Sequence, residues 1–144
     1  MEVTQVGIDL IKKYEGFSAK IYLCPAGKAT IGYGHKILAG EKFPPQGIST
    51  EIAENMLKQD VKVAESAINR LVKAEISNNQ FDALASFTYN LGTKALETST
   101  LLRLINENNP QSAASEFSKW VFADGKAQNG LKNRRKAEMA LFLS

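Results

Sequence analysis

The chain has 144 residues, 44% of them hydrophobic, with Lys plus Arg 18, Asp plus Glu 15, one His and one Cys. That length suggests one compact domain with room for two lobes, and the apolar content excludes disorder. Such a chain buries roughly 68–70% of its unfolded surface, so it needs no metal or disulfide to fold. One Cys and one His cannot form an internal disulfide or a four-ligand zinc site.

Basic and acidic side chains balance over residues 1–110, so the net charge of +3 lies in residues 111–144. A basic surface favours polyanions such as nucleic acid, anionic lipid or an acidic wall polymer. Charge alone reads first as a solvated helix face. The opening stretch MEVTQVGIDLIKKYE holds three acids and no unbroken apolar run. It fits neither a signal peptide nor a transmembrane span, so the expectation is a soluble protein made in the cytoplasm, without stable membrane insertion.

Residues 4–14 place Val6, Ile8, Leu10, Ile11 and Tyr14 at helical spacing, and Gly16 suits the end of that helix. Residues 17–38 change character. Short β-prone runs around Cys24-Pro25-Ala26-Gly27 read as a small antiparallel sheet. Residues 39–48, with two Pro and two Gly, read as a loop.

A long helix is expected from about 50 to 74, with Ser49 or Thr50 as its cap. Over twenty residues is long for a small domain, and such a helix can join two lobes. Ser77-Asn78-Asn79-Gln80 matches a capping box, followed by an apolar face through Leu91 to Gly92. Shorter helices are expected at about 99–107 and 110–119, the second with Pro110 after an Asn109 cap. A loop from Ala123 to Asn129 then precedes a last helix over about 130–143. There is no internal repeat. The fold class is α+β, mostly α.

The chemistry-bearing window is YEGFSAKIYLCPAGKATIGYGH, residues 14–35. Glu15 stands at a helix end facing the sheet, where a partly desolvated acid suits proton donation; an ordinary exposed Glu is the plain alternative. Cys24 in the sheet turn reads as a small hydrophobe or as a nucleophile or base. The turn offers no obvious cation, which argues against a strongly lowered thiol pKa. Thr30 can hold a water through its hydroxyl, or be only a β-branched strand residue. His35 reads as a structural His fixed by a carboxylate, or as a general base. Gly32-Tyr33-Gly34 lacks the third Gly and the helix of a phosphate loop.

Together these residues resemble a known family. Glu15, eight residues, Cys24, five residues, Thr30, then Ile31-Gly32-Tyr33-Gly34-His35 is similar to the signature of the phage T4-type lysozymes, glycoside hydrolase family 24. Gln80-Phe81-Asp82-Ala83-Leu84 through Tyr89-Asn90-Leu91-Gly92 resembles that family's lobe-centre helix. Gly130-Leu131 followed by Arg134-Arg135 and Glu138 resembles its C-terminal helix, and Trp120 falls where the family carries a Trp. The resemblance covers essentially the whole chain.

The resemblance implies a single lysozyme domain over 1–144. An N-terminal lobe spans about 15–50, a connecting helix about 50–74 and a helical lobe about 77–144, with helix 4–14 packed on the last. It implies an endolysin cutting the β-1,4 bond between N-acetylmuramic acid and N-acetylglucosamine of peptidoglycan. Glu15 takes the general-acid position, Thr30 that of the water-positioning residue, and Cys24 stands where the family usually has Asp. Arg134 matches the Arg that orients the acid, Asn90 a substrate contact, and His35 a lobe-stabilising residue. Arg135 is expected to matter less than Arg134. The implied protein is a monomer without metal, cofactor or nucleic-acid partner. It would reach the wall through a separate holin-type protein. A lytic transglycosylase acting on the same bond, or a non-enzymatic basic module binding wall polymer, are the competing readings.

Overall fold

The computed structural model describes residues 1–144. The first helix, α1 (Gln5–Glu15), turns Gly7, Ile8 and Ile11 inward. Its N-terminus has no cap of its own. The Thr4 amide and hydroxyl instead donate to the buried Asp82 carboxylate, at 2.8 and 2.5 Å. Gly7 is required by this contact, because a Cβ there would stand 2.7 Å from Asp82 Oδ1. At the other end Gly16, at φ 73°, closes the helix immediately after Glu15.

A three-stranded antiparallel sheet follows: β1 (Ser18–Leu23), β2 (Ala29–Gly32) and β3 (His35–Lys36), in that order. Tyr22 lies opposite Thr30, and Ile31 opposite His35. The expected small sheet is therefore present.

The long helix α2 (Thr50–Leu71) is capped by Ser49, whose hydroxyl accepts from the Ile52 amide at 3.1 Å. Its buried residues, Ala53, Leu57, Val61, Ala64, Ala67 and Ile68, keep helical spacing. It ends at Leu71 rather than near Ala74. Asn106 explains the early end: its side chain donates to the Leu71 carbonyl at 3.0 Å and accepts from the Lys73 amide at 2.7 Å. A side chain from a distant helix thus takes over the helix-end groups.

Helix α3 (Asn78–Leu91) carries the expected capping box between Ser77 and Gln80. Every residue from Phe81 to Thr88 is buried. A helix buried all round is the centre of a core, and α1, α2 and the last helix surround it. After Gly92 come α4 (Thr93–Thr98), α5 (Thr100–Asn106) and α6 (Pro110–Glu116), then a 3-10 turn at Phe117–Lys119. The short α4 has no side-chain cap, the signal that reveals its neighbours α5 and α6 in the sequence.

The expected loop at 123–129 holds part of a small hairpin, β4 (Phe122–Ala123) and β5 (Lys126–Ala127). Asp124 and Gly125, at φ 51° and 74°, form its two-residue turn. An Asp-Gly pair is a strong hairpin signal, and the loop reading passed over it. The chain closes with α7 (Asn129–Leu143), which packs on α3 and buries Arg134, Arg135, Glu138 and Phe142. One continuous cluster of buried side chains runs from Ile31 and Ile48 near the sheet to Phe117 and Phe142.

Candidate active site

Four elements converge where the sheet meets the helices. Glu15 ends α1, His35 lies on β3, Tyr89 and Asn90 lie near the end of α3, and Asp60 projects from α2. They line one open cleft pocket of about 430 Å³, together with Gly34, Lys36, Leu38 and Val63.

Glu15 is fixed on both sides. Arg134 Nη1 donates to Glu15 Oε2 at 2.8 Å, and the Arg134 side chain is only 4% exposed. On the other side the backbone of Gly34 presses close. A Cβ at Gly34 would stand 2.5 Å from Glu15 Oε1, and φ there is +79°. Glycine is needed twice over, for the left-handed backbone and for the close approach. Tyr89 holds the adjoining peptide, its hydroxyl donating to the Tyr33 carbonyl at 2.9 Å. Burial, followed by the charge of Glu15, pushes the Tyr89 phenol well above its ordinary range, so it stays a neutral donor.

Arg134 is itself part of a buried network on α7. Glu138 Oε2 accepts from Ser86 Oγ at 2.5 Å, from Arg134 Nε at 3.3 Å and from Arg135 Nη2 at 3.2 Å. Arg135 Nε lies 2.7 Å from Glu138 Oε1, close enough to pair in charge, although its N–H is not aimed at that oxygen. Burial pushes the Glu138 carboxyl up, and the two arginines and Ser86 oppose it. Burial likewise pulls Arg135 down, with Glu138 the main opposing charge. Arg135 is as deeply buried as Arg134, at 1% and 3% exposure. Burial, invisible in an Arg-Arg pair of the sequence, places Arg135 as deep in the network as Arg134, although the sequence reading expects it to matter less. Arg135 Nη2 also donates to Asn90 Oδ1 at 2.7 Å.

His35 is clamped by two carboxylates, Asp60 at 2.7 Å on Nδ1 and Glu41 at 2.9 Å on Nε2. Burial pulls its pKa down, but the two carboxylates outweigh it and the net direction is up. Only an imidazolium satisfies both contacts, since neutral imidazole has a single N–H.

Cys24 and Thr30 lie on the β1–β2 hairpin, beside this pocket rather than in its lining. Cys24 is partly exposed, and its amide donates to the Lys28 carbonyl at 2.9 Å, closing the turn. Its thiol pKa is lowered, first by the Lys28 backbone N–H, then by the Ala26 N–H, the Thr30 hydroxyl and the charge of Lys36, against the opposing effect of burial. The turn amides thus supply what no sequence cation suggested. Thr30 is fully buried, and its hydroxyl donates to the Lys28 carbonyl at 2.9 Å. In this geometry its hydroxyl is closed to solvent. Tyr22 lies opposite Thr30; burial pushes its phenol up, and the charges of Glu15 and Cys24 add to the shift.

Sequence reasoning missed Tyr22, Tyr89, Asp60, Glu41 and the Asn90–Arg135 contact. Tyr89 stood beside Asn90 in a quoted motif, and its hydroxyl was the available signal. Nothing local marks Asp60, 25 positions from His35, whereas Glu41 lies only 6 positions away and its carboxylate was the available signal.

A family model described as phage lysozyme matches residues 12–138. Over its whole length the chain is 46% identical to an endolysin of Bacillus phage B103 and 39% identical to the endolysin of Salmonella phage P22. It spans 99% of the P22 protein but only 55% of the B103 protein, about half the length of that relative. A solved mutant of P22 lysozyme superposes with a TM-score of 0.89 at 38% identity, covering 100% of this chain and 99% of that one. The muramidase domain of SpmX from Asticaccaulis excentricus gives 0.89 at 33% identity, covering 99% and 98%. The α+β, mostly helical fold is thus a lysozyme-like one. The chain belongs to the phage lysozyme family.

Proposed function

We propose that this chain is a muramidase-type endolysin of the T4 type, glycoside hydrolase family 24, which hydrolyses the N-acetylmuramic acid to N-acetylglucosamine β-1,4 bond of peptidoglycan. One observation carries the reading. Glu15, at a helix end in an open cleft, is held in place by the buried Arg134. Glycoside hydrolysis needs an acid on one side of the bond and a base or nucleophile on the other.

In the proposed step a water oxygen attacks the anomeric carbon as its bond to the leaving oxygen breaks. Glu15 passes its proton to that leaving oxygen. Cys24, as thiolate, accepts the proton of the attacking water. Thr30 acts on that water through the Cys24 sulfur, because its own hydroxyl is closed to solvent. Attack opposite the departing oxygen inverts the anomeric carbon. Arg134 orients the acid, Asn90 contacts the glycan, and His35 holds β3 to α2.

The basic residues 111–144 suit a wall polymer rich in carboxylates and phosphates. No helix is long and apolar enough to cross a membrane. The family resemblance, in turn, supports the reading that a separate holin-type protein releases the endolysin from the host cytoplasm to the wall and that it acts as a monomer. The test is the loss of turbidity of outer-membrane-permeabilised cells, compared between wild type and Glu15→Gln. Mass spectrometry of the products must show reducing ends; anhydro ends would assign a transglycosylase, and no lysis would discard the enzyme reading.

A further inference from the structure

We propose that Arg135 is a positioning residue that fixes Asn90 as a hydrogen-bond donor to the glycan, and that the group Asn90 recognises is an acetamido carbonyl oxygen. The inference deepens, and rests on, the muramidase reading.

Asn90 lines the cleft beside Glu15 and Tyr89. Its amide oxygen accepts from Arg135 Nη2 at 2.7 Å. A guanidinium has donors only, so chemistry fixes which end of the amide faces it. The oxygen must point at Arg135 and the NH2 must point away. Arg135 cannot follow a moving partner. It is buried, stands beside Glu138, lies 5.4 Å from the Phe87 ring and donates to the Trp120 carbonyl at 3.5 Å. Asn90 Nδ2 has no partner in the protein and is not among the buried unpaired atoms. On a half-buried residue of the cleft wall, its two N–H groups are offered to whatever enters.

The glycan's acceptor-only groups are its carbonyl oxygens and its weaker-accepting ether oxygens, whereas its hydroxyls both donate and accept, so the carbonyls are the strongest fit to a pure donor. A rigid pure donor discriminates best for a group that can only accept. An acetamido carbonyl sits on every sugar of the strand. The lactyl carbonyl, on alternate sugars, is the other source, and the test separates the two.

The experiment measures kcat and KM on soluble, uncrosslinked glycan strands, fully acetylated or chemically de-N-acetylated, with re-acetylated strands as control. Asn90→Asp keeps a partner for Arg135, so its thermal midpoint should hold. It turns an acceptor towards the substrate, and KM on acetylated strands should rise about tenfold with a smaller change in kcat. Asn90→Ala should lose about three- to tenfold in kcat/KM on acetylated strands and nothing relative to wild type on de-N-acetylated ones. Arg135→Lys, which retains charge beside Glu138, should fall between wild type and Asn90→Asp in KM. A wild-type KM in Asn90→Asp would overturn the proposal. An Asn90→Ala penalty that survives de-N-acetylation would move the contact to the lactyl group or a hydroxyl and overturn the acetamido assignment. Failure of wild type to cleave acetylated strands would overturn the muramidase reading and this inference with it; normal cleavage with an indifferent Asn90→Asp would overturn this inference alone.

Discussion

Arg134 Nη1 donates to Glu15 Oε2 at 2.8 Å, joining α7 to the last residue of α1 across 119 positions of sequence. The contact leaves Oε1 on the side of Gly34 and the cleft. Glu15→Gln keeps an oxygen to accept from Arg134 but has no acidic proton to give. Lysis should fall by about 10²–10⁴-fold, the usual weight of a general acid, while the thermal midpoint stays near wild type. Turbidity clearing within a factor of a few of wild type would take Glu15 out of the acid role.

The buried arginines should behave alike in stability and differently in catalysis. Arg134→Ala leaves Glu138 and Glu15 short of a partner, and Arg135→Ala leaves Glu138 and Asn90 short of one. Breaking a buried ion pair on one side costs about 3–5 kcal/mol. Urea unfolding should show losses of that order for both. Arg134→Ala should also lower kcat of the folded fraction, since the acid loses its anchor. A near-neutral Arg135→Ala would show that its buried contacts contribute little.

Gly34→Ala separates geometry from stability. Its left-handed backbone costs a side chain about 1–2 kcal/mol, and the new Cβ would meet Glu15 Oε1 at 2.5 Å. The carboxylate must move. A misplacement of about 1 Å can cost on the order of 10²-fold in rate. The expected result is a folded protein with kcat lowered at least about tenfold and an unfolding midpoint only a few degrees down. Retained kcat would mean that the position of Glu15 tolerates the shift.

The sheet clamp predicts a pH window. The His35 pKa is raised in the fold by Asp60 and Glu41 against burial. Its stabilisation is therefore complete below the ordinary imidazole value, about 6.5, and is lost as pH rises through the higher folded value. Glu41 runs the other way. The Leu38 amide first, then His35, lowers its pKa. Its contribution is present above the ordinary Glu value, about 4.3, and is lost as pH falls through the lower folded value. The thermal midpoint should fall as pH rises past the His35 titration, and His35→Gln should flatten that fall. An identical pH profile in His35→Gln would assign it to other groups.

Much of this fold is written locally. Ser49, the Ser77–Gln80 box and Asn109-Pro110 each mark a helix start through hydrogen bonds within a few residues, and all three are realised. The end of α2 was not legible, because the Asn106 that caps it comes from another helix. The same division holds for the site. Glu15, Cys24, Thr30 and Gly34 share one short window whose spacing carries chemical meaning. The partners that give them their setting come from elsewhere: Arg134 for Glu15, Tyr89 for the Tyr33 peptide, and Asp60 for His35. The family resemblance singled out Arg134 for Glu15, but only packing reveals that its neighbour Arg135 faces Asn90.

Cys24 offers the sharpest test of mechanism. An unperturbed thiol, with a pKa near about 8.5, is only a few per cent thiolate at neutral pH. Here the Lys28 amide, with the Ala26 amide, the Thr30 hydroxyl and Lys36, lowers that pKa against burial, so more thiolate is present than in a free cysteine. If Cys24 is the base for water, wild-type activity should rise with pH through this titration. Cys24→Asp, ionised at far lower pH, should keep substantial activity with its optimum shifted towards acid. Cys24→Ala should be much weaker, because water then lacks a proton acceptor. Alkylation with iodoacetamide should inhibit wild type and leave Cys24→Asp untouched. The competing route, attack by sulfur on the anomeric carbon, would leave a thioglycoside and a retained configuration. Mass spectrometry of quenched enzyme and NMR of the first-formed anomer distinguish the two. A sugar adduct on Cys24 would replace the base role by the nucleophile role, and full activity in Cys24→Ala would remove the residue from the reaction.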